Sequence, residues 1–173
     1  MEELRLGSRI EPEVPVPTDT DEAAQAEMRE RVISLAFGGD RSRFDTFCRA
    51  VGEGIPPGTE AVLRGSAVTG RRWTDGAPFD ADGPGTSDLD LTLVGDAVLA
   101  HYSLDGFYLP GLHSKPLSDK DPGIAPGLAT LRHDLMRMVG RPVNIQATRD
   151  LVMLFREYLM GQPYLRLVRA PES

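Results

Sequence analysis

A chain of 173 residues, 40% hydrophobic and 26% charged, has the balance of one globular domain that can bury a core without disulfide or metal staples. Its net charge of -7 excludes a broad phosphate-tracking surface, because nonspecific nucleic-acid affinity comes from Lys and Arg neutralising phosphates. One cysteine and three histidines exclude an internal disulfide and a Cys/His zinc cluster, and point to a reducing compartment.

Residues 1–20 carry acids and prolines, with Glu11-Pro12-Glu13-Val14-Pro15-Val16-Pro17 at their centre. They read as an extended, mobile arm, and they lack the basic start and apolar run of a signal peptide. No apolar stretch approaches the roughly 20 residues that cross a bilayer, so a cytoplasmic protein without membrane contact is expected. Residues 21–173 read as a single domain. Thr20 or Asp21 can cap a helix over 22–37, which Gly38-Gly39-Asp40 stops. A second helix fits 41–51, with Phe44, Phe47 and Cys48 on one face, and glycines and prolines over 52–58 mark a turn.

The stretch 60–64 reads as a short buried strand that runs into Gly65-Ser66. Residues 73–86, rich in Gly, Pro and Asp, read as a loop. In it Asp75, Asp80 and Asp82 are expected to be solvated. The spacing predicts a strand over 88–94 with alternating faces, then a short helix over 96–102. The stretch 103–124, with Tyr108, His113 and Lys115, reads as a long mobile surface loop. A helix is expected over 126–139, opened by Pro126 and ended by Gly140. Residues 142–147 form a third strand candidate. The stripe Leu151, Leu154, Phe155, Tyr158, Leu159 predicts a helix over 150–160 packed on the sheet, and 164–169 a last strand.

The chemistry concentrates at two places. Residues two apart on a strand share a side, so Asp88 and Asp90 set two carboxylates next to each other while Leu89, Leu91 and Leu93 face the core. Adjacent carboxylates repel, and a hard divalent cation such as Mg2+ supplies the compensation and prefers oxygen ligands. Gly65, at the end of a strand entering a helical turn, lets a phosphate approach bare backbone N–H groups, and Ser66 adds a hydroxyl donor. No Gly-Lys-Ser/Thr follows, so this is not the Walker arrangement.

Together and in this order, Gly65, Ser66, Gly70, Ser87, Asp88 and Asp90 resemble the signature of the polymerase-beta-type nucleotidyltransferases. The resemblance spans about 41–147 by element order. It implies an α/β fold, a small mixed sheet with helices packed on one side. It also implies a nucleoside triphosphate held at Gly65, Ser66 and Ser87, and Mg2+ (or Mn2+) held by the catalytic pair Asp88 and Asp90. One metal would stabilise the leaving pyrophosphate and another would lower the pKa of an attacking hydroxyl. The expected activity is transfer of a nucleoside monophosphate, by default AMP from ATP, onto a protein, RNA or small-molecule hydroxyl.

Two departures stand out. The connection over 67–87 is longer than usual, an excess a loop absorbs cheaply. The family's third carboxylate falls at Asn144, whose amide carries no charge and accepts no proton as a base. Asn144 supports a slow or one-metal reaction, or Asp134 or Asp150 reaches the site from a helix, or the chain has kept binding and lost catalysis. The last option is a regulatory, antitoxin-like module. Small members of the family work beside helical partner proteins, so a protein partner is implied by the resemblance. Arg71 and Arg72 read either as a surface pair or as cations steadying a triphosphate. Trp73 reads as a packing residue.

Overall fold

The computed structural model describes residues 22–170, so the arm expected over 1–20 lies outside the described residues. Helix α1 (Glu22–Ala36) buries Met28, Val32, Ile33 and Ala36. Helix α2 (Arg41–Gly54) is capped by Asp40, whose side chain accepts from the Arg43 N–H, satisfying one of the amides a helix start leaves open. Its buried stripe is Phe44, Phe47 and Val51. Strand β1 (Glu60–Arg64) leads through Gly65 into the single turn α3 (Ser66–Thr69). Strand β2 (Leu89–Val94) is followed by the short α4 (Asp96–Leu99).

The stretch 103–124, expected to be a long loop, carries a short hairpin. A 3-10 turn (Leu104–Gly106) leads into β3 (Phe107–Leu109), which pairs with β4 (His113–Ser114) in a hairpin. A second 3-10 turn (Pro126–Leu128) then opens α5 (Ala129–Val139), which ends on Gly140 in the left-handed region at φ 67°. Strand β5 (Val143–Thr148), α6 (Leu151–Glu157) and β6 (Leu165–Val168) complete the described chain.

The six strands form one open mixed sheet in the order β3-β4-β5-β2-β1-β6. β1 runs antiparallel to β2 and β6, whereas β2 and β5 are parallel. The register places Arg64 beside Asp90 and Asp90 beside Asn144, in one row across three central strands. Pleating sends alternate side chains to opposite faces. Ala61, Leu63, Leu89, Leu91, Leu93, Val143 and Ile145 therefore join one core with the apolar stripes of α1 to α5. Arg64, Asp90 and Asn144 project from the other face. One end of that face is closed by α6, where Phe155 and Tyr164 cover Val62. Among the described residues no helix is long and apolar enough to cross a membrane.

Candidate functional site

Asp88, Asp90 and Asn144 meet on the uncovered face. The Asn144 Nδ2 donates to Asp88 Oδ2 at 2.7 Å and to Asp90 Oδ1 at 3.3 Å, so one amide group bridges both carboxylates. From the other side comes Arg64, a residue that sequence reasoning did not single out. Its Nη1 lies 4.0 Å from Asp90 Oδ2, its Nη2 donates to Gln146 Oε1 at 3.0 Å and its Nε to Thr92 Oγ1 at 3.4 Å. Desolvation pushes the Asp90 carboxyl above its ordinary pKa, and the neighbouring Asp88 charge adds to this. Arg64 and the Asn144 hydrogen bond pull the other way.

Gly65 stands against the same carboxylate. Its φ is 88°, a conformation natural only to glycine, and a Cβ there would sit 2.7 Å from Asp90 Oδ2. Backbone and carboxylate approach this closely only without a side chain. Its carbonyl accepts from the Val68 and Thr69 N–H groups. The Ser66 and Ala67 amides belong to the first turn, which helical bonds leave open.

Ser87 has a task that its motif did not reveal. Its Oγ accepts from the Asp80 N–H at 2.7 Å, and its own N–H donates to Asp80 Oδ1 at 2.9 Å. The hydroxyl hydrogen remains for a ligand. Asp80, expected to be a solvated loop acid, is instead the anchor of the whole connection. Arg141 grips its two oxygens from Nη1 at 2.8 Å and Nη2 at 3.1 Å, and Nη1 also reaches the Ser87 carbonyl. The guanidinium lies 4.5 Å above the centre of the Phe79 ring. Burial works against ionisation of Asp80, but Arg141 and the Ser87 and Gly85 N–H groups outweigh it and hold its pKa at about 2. This latch delivers Asp88 to the start of β2. Its part-buried Asp–Arg pair spans 61 residues and leaves no local pattern in the sequence.

The other acids considered for the site lie elsewhere. Asp134 pairs with Arg137 on α5, and Asp150 caps α6 by accepting from the Met153 N–H. No third carboxylate, imidazole or thiolate joins Asp88 and Asp90 in a metal-binding group among the described residues. Arg72 is held by Asp75 and Asp82, and Arg71 donates to the Gly76 carbonyl, so both cations organise their own loop. Trp73 is exposed and not a packing residue.

A cleft of about 410 Å3 opens beside Asp88 and Asn144, on the side away from Gly65. Its far wall is the segment 116–121, including Ser118 and Lys120, with Tyr108 at its rim. That wall is fastened. Leu117 exchanges two backbone hydrogen bonds with Ile145, and the buried Arg132 holds Asp119 at 2.7 Å while donating to the Val143 carbonyl. Tyr108 stacks with Tyr158 of the segment after α6. His113 is fully buried rather than exposed on a loop, with Nδ1 2.6 Å from Thr148 Oγ1, and desolvation holds its pKa below the ordinary value.

Two carboxylates on one face with a bare glycine opposite form an oxygen donor set, which Asn144 meets with its NH2 group. Mg2+ and Mn2+ suit such a set, since Mg2+ is commonly held by one or two carboxylates together with substrate phosphates. The face is polar, and the adjoining cleft is large enough for a small molecule. Comparison with family models, curated proteins and solved structures finds no match for this chain.

Proposed function

We propose that this protein is a nucleotidyltransferase of the polymerase-beta type, which moves a nucleoside monophosphate, by default AMP from ATP, onto an acceptor hydroxyl. The observation that carries this reading is the close approach of Asp90 to the bare backbone of Gly65, with Asp88 beside it.

In this mechanism the Gly65–Ser66 turn binds phosphate oxygens through backbone N–H groups and the Ser66 hydroxyl. Asp88 and Asp90 would hold Mg2+ or Mn2+, which would supply positive charge to offset the negative charge of the phosphates during transfer. Arg64 keeps Asp90 oriented and partly neutralised. The latch between Asp80 and Arg141 fixes Ser87 and Asp88 at the mouth of the site. The acceptor enters by the cleft between Asn144 and Lys120. Its hydroxyl would lose a proton to solvent as the oxygen forms the new bond to the α-phosphorus and the bond to pyrophosphate breaks. The acceptor is a protein, an RNA end or a small molecule, the setting is cytoplasmic, and a partner protein completes the acceptor site.

A second reading is favoured by one observation. Asn144 and Arg64 already satisfy the two carboxylates, as in a binding or regulatory module that has ceased to transfer. Incubation with α-labelled ATP and Mg2+ or Mn2+, with and without cell extract, separates the two. Transfer predicts label on an acceptor, lost in Asp88→Ala/Asp90→Ala. No label with any nucleotide, together with a nucleotide-dependent rise in melting temperature, selects the binding module.

A further inference from the structure

The long connection between the Gly65 turn and β2 begins with a built element. The Phe79 N–H donates to the Gly70 carbonyl at 3.1 Å and the Arg72 N–H to the Ala77 carbonyl at 2.7 Å, with Arg71 and Pro78 bridged between them. The Gly76 N–H closes the turn on the Arg72 carbonyl at 2.8 Å. Residues 70–79 are therefore a small closed hairpin. Its tip carries Trp73, the chain's one tryptophan, and the residue is 57% exposed. An indole is the largest apolar side chain, and a fold gains most by burying it. Here it stands in solvent on an element that backbone hydrogen bonds keep closed, with the Arg72 ion pairs to Asp75 and Asp82 beside them.

The two roots of this hairpin tie it to the candidate site. One root is Gly70, which ends the turn that opens at Gly65 and Ser66. The other is Phe79 and Asp80. There the Asp80 N–H donates to Ser87 Oγ, and Arg141 grips the Asp80 carboxylate while lying over the Phe79 ring. The hairpin thus hangs between the Gly65–Ser66 turn and the residue that precedes Asp88. Helical rise over 65–70 and extended rise over 70–73 put Trp73 at most about 18 Å from Gly65, within the length of an extended nucleoside triphosphate. We infer that Trp73 is the stacking platform for the base of a nucleotide whose phosphates lie at Gly65 and Ser66. This inference rests on the nucleotidyltransferase reading and adds to it the residue that selects the base. Arg71 and Arg72 are engaged within the loop, so the tip offers a ring face and not free charge. An aromatic platform accepts any base by its π-face, with preferences set by stacking strength. A purine covers more of an indole than a pyrimidine does, so purine nucleotides are the preferred class.

Because Trp73 is the sole tryptophan, the emission of the full chain reports on this ring alone. A non-hydrolysable ATP analogue and inorganic tripolyphosphate are each titrated into the chain with Mg2+. Affinity is read by calorimetry and the ring by fluorescence. The analogue is expected to quench Trp73 with its calorimetric midpoint, and tripolyphosphate to bind without quenching. Trp73→Ala is expected to weaken the analogue about tenfold and to leave tripolyphosphate unchanged, and Trp73→Phe to restore most of the loss. A damaged fold weakens both ligands together and does not give this split. Analogue binding that Trp73→Ala leaves unchanged overturns the platform and leaves the transfer reading in place. Equal loss of both ligands in Trp73→Ala also overturns it, because the ring then acts on the loop and not on the base. No binding of either ligand, with no label transferred, overturns this inference and the transfer reading together. If tripolyphosphate binds too weakly to measure, the loss in Trp73→Ala and its recovery in Trp73→Phe still decide.

Discussion

Asp80 and Asp90 lie ten residues apart on the approach to the same strand, yet their surroundings are opposite. Asp80 receives a two-pronged grip from Arg141 and two backbone N–H groups, and its pKa falls to about 2. Asp90 is desolvated beside a second carboxylate, shares one amide NH2 group with Asp88, has an arginine at the limit of ion-pair distance, and its pKa rises. The first is a carboxylate whose needs are met by the fold. The second is only weakly compensated. A well-compensated carboxylate is a fastening, and a weakly compensated one with a raised pKa is a candidate position for a ligand.

The sharpest way to break this contrast is to remove the fastening. Arg141→Met leaves the part-buried Asp80 without its cation, at an expected cost on the order of 1–2 kcal/mol. Urea unfolding reads this as a lowered midpoint with little change in slope. Transfer activity is expected to disappear with it, because Ser87 and Asp88 lose their placement. A variant of native stability shows that the pair is a surface contact, and the distinction between Asp80 and Asp90 then falls.

Gly65→Ala acts on the opposite member. The left-handed backbone strains any other residue by about 1–3 kcal/mol, and the new Cβ pushes the Asp90 carboxylate from its place. Nucleotide-dependent stabilisation, measured as the melting shift with ATP and Mg2+, is expected to vanish while the protein stays folded at 25 °C. A retained shift places the nucleotide elsewhere than at Gly65.

These two variants also mark what the sequence discloses and what it hides. Gly65, Asp88 and Asp90 were singled out from a strand end and from alternation along β2, and Asn144 from the resemblance, which places a third carboxylate at its position on β5. The register of the parallel pair then sets Asn144 beside Asp90. The mixed sheet with helices against it was legible for the same reason. Arg64 looked like the end of an apolar strand, and only cross-strand pairing gives its charge a target. Asp80 and Arg141 were hidden because their contact is wholly tertiary. The hairpin over 107–114 escaped because its strands are three and two residues long, too short to show alternation, and its buried His113 is held by Thr148 from a distant strand.

The pH dependence of stability tests the same contrast with both signs. Asp80 has a folded pKa below its unfolded value of 3.8, so it contributes stability that is present above that value and is lost as pH falls toward 2. Asp90 has a raised folded pKa, so its favourable contribution is present below the unfolded value and is lost as pH rises through the folded one. Asp80→Asn is therefore expected to lower stability at pH 7, on the order of 1 kcal/mol once solvent screening is allowed for, and to flatten the acid limb. Asp90→Asn is expected to leave stability at pH 7 unchanged or raised, while abolishing transfer. Urea midpoints between pH 2 and 7 give both results, and a loss of stability in Asp90→Asn at neutral pH reverses the assignment.

The smallest expected effect separates cations near the motif from cations in it. Arg72 precedes the Asp80 segment and is tied to Asp75 and Asp82 on the exposed side of its loop. Exposed pairs of this kind contribute about 0–1 kcal/mol, so Arg72→Ala should move the melting temperature by little. Transfer and the nucleotide-dependent melting shift should stay within about twofold, a difference of roughly 0.4 kcal/mol. A tenfold loss of nucleotide affinity, about 1.4 kcal/mol, brings Arg72 into contact with the triphosphate in the bound state. The loop 71–82 then closes over the phosphates, and the ion pairs of the free protein become a resting arrangement that nucleotide exchanges for its own charge.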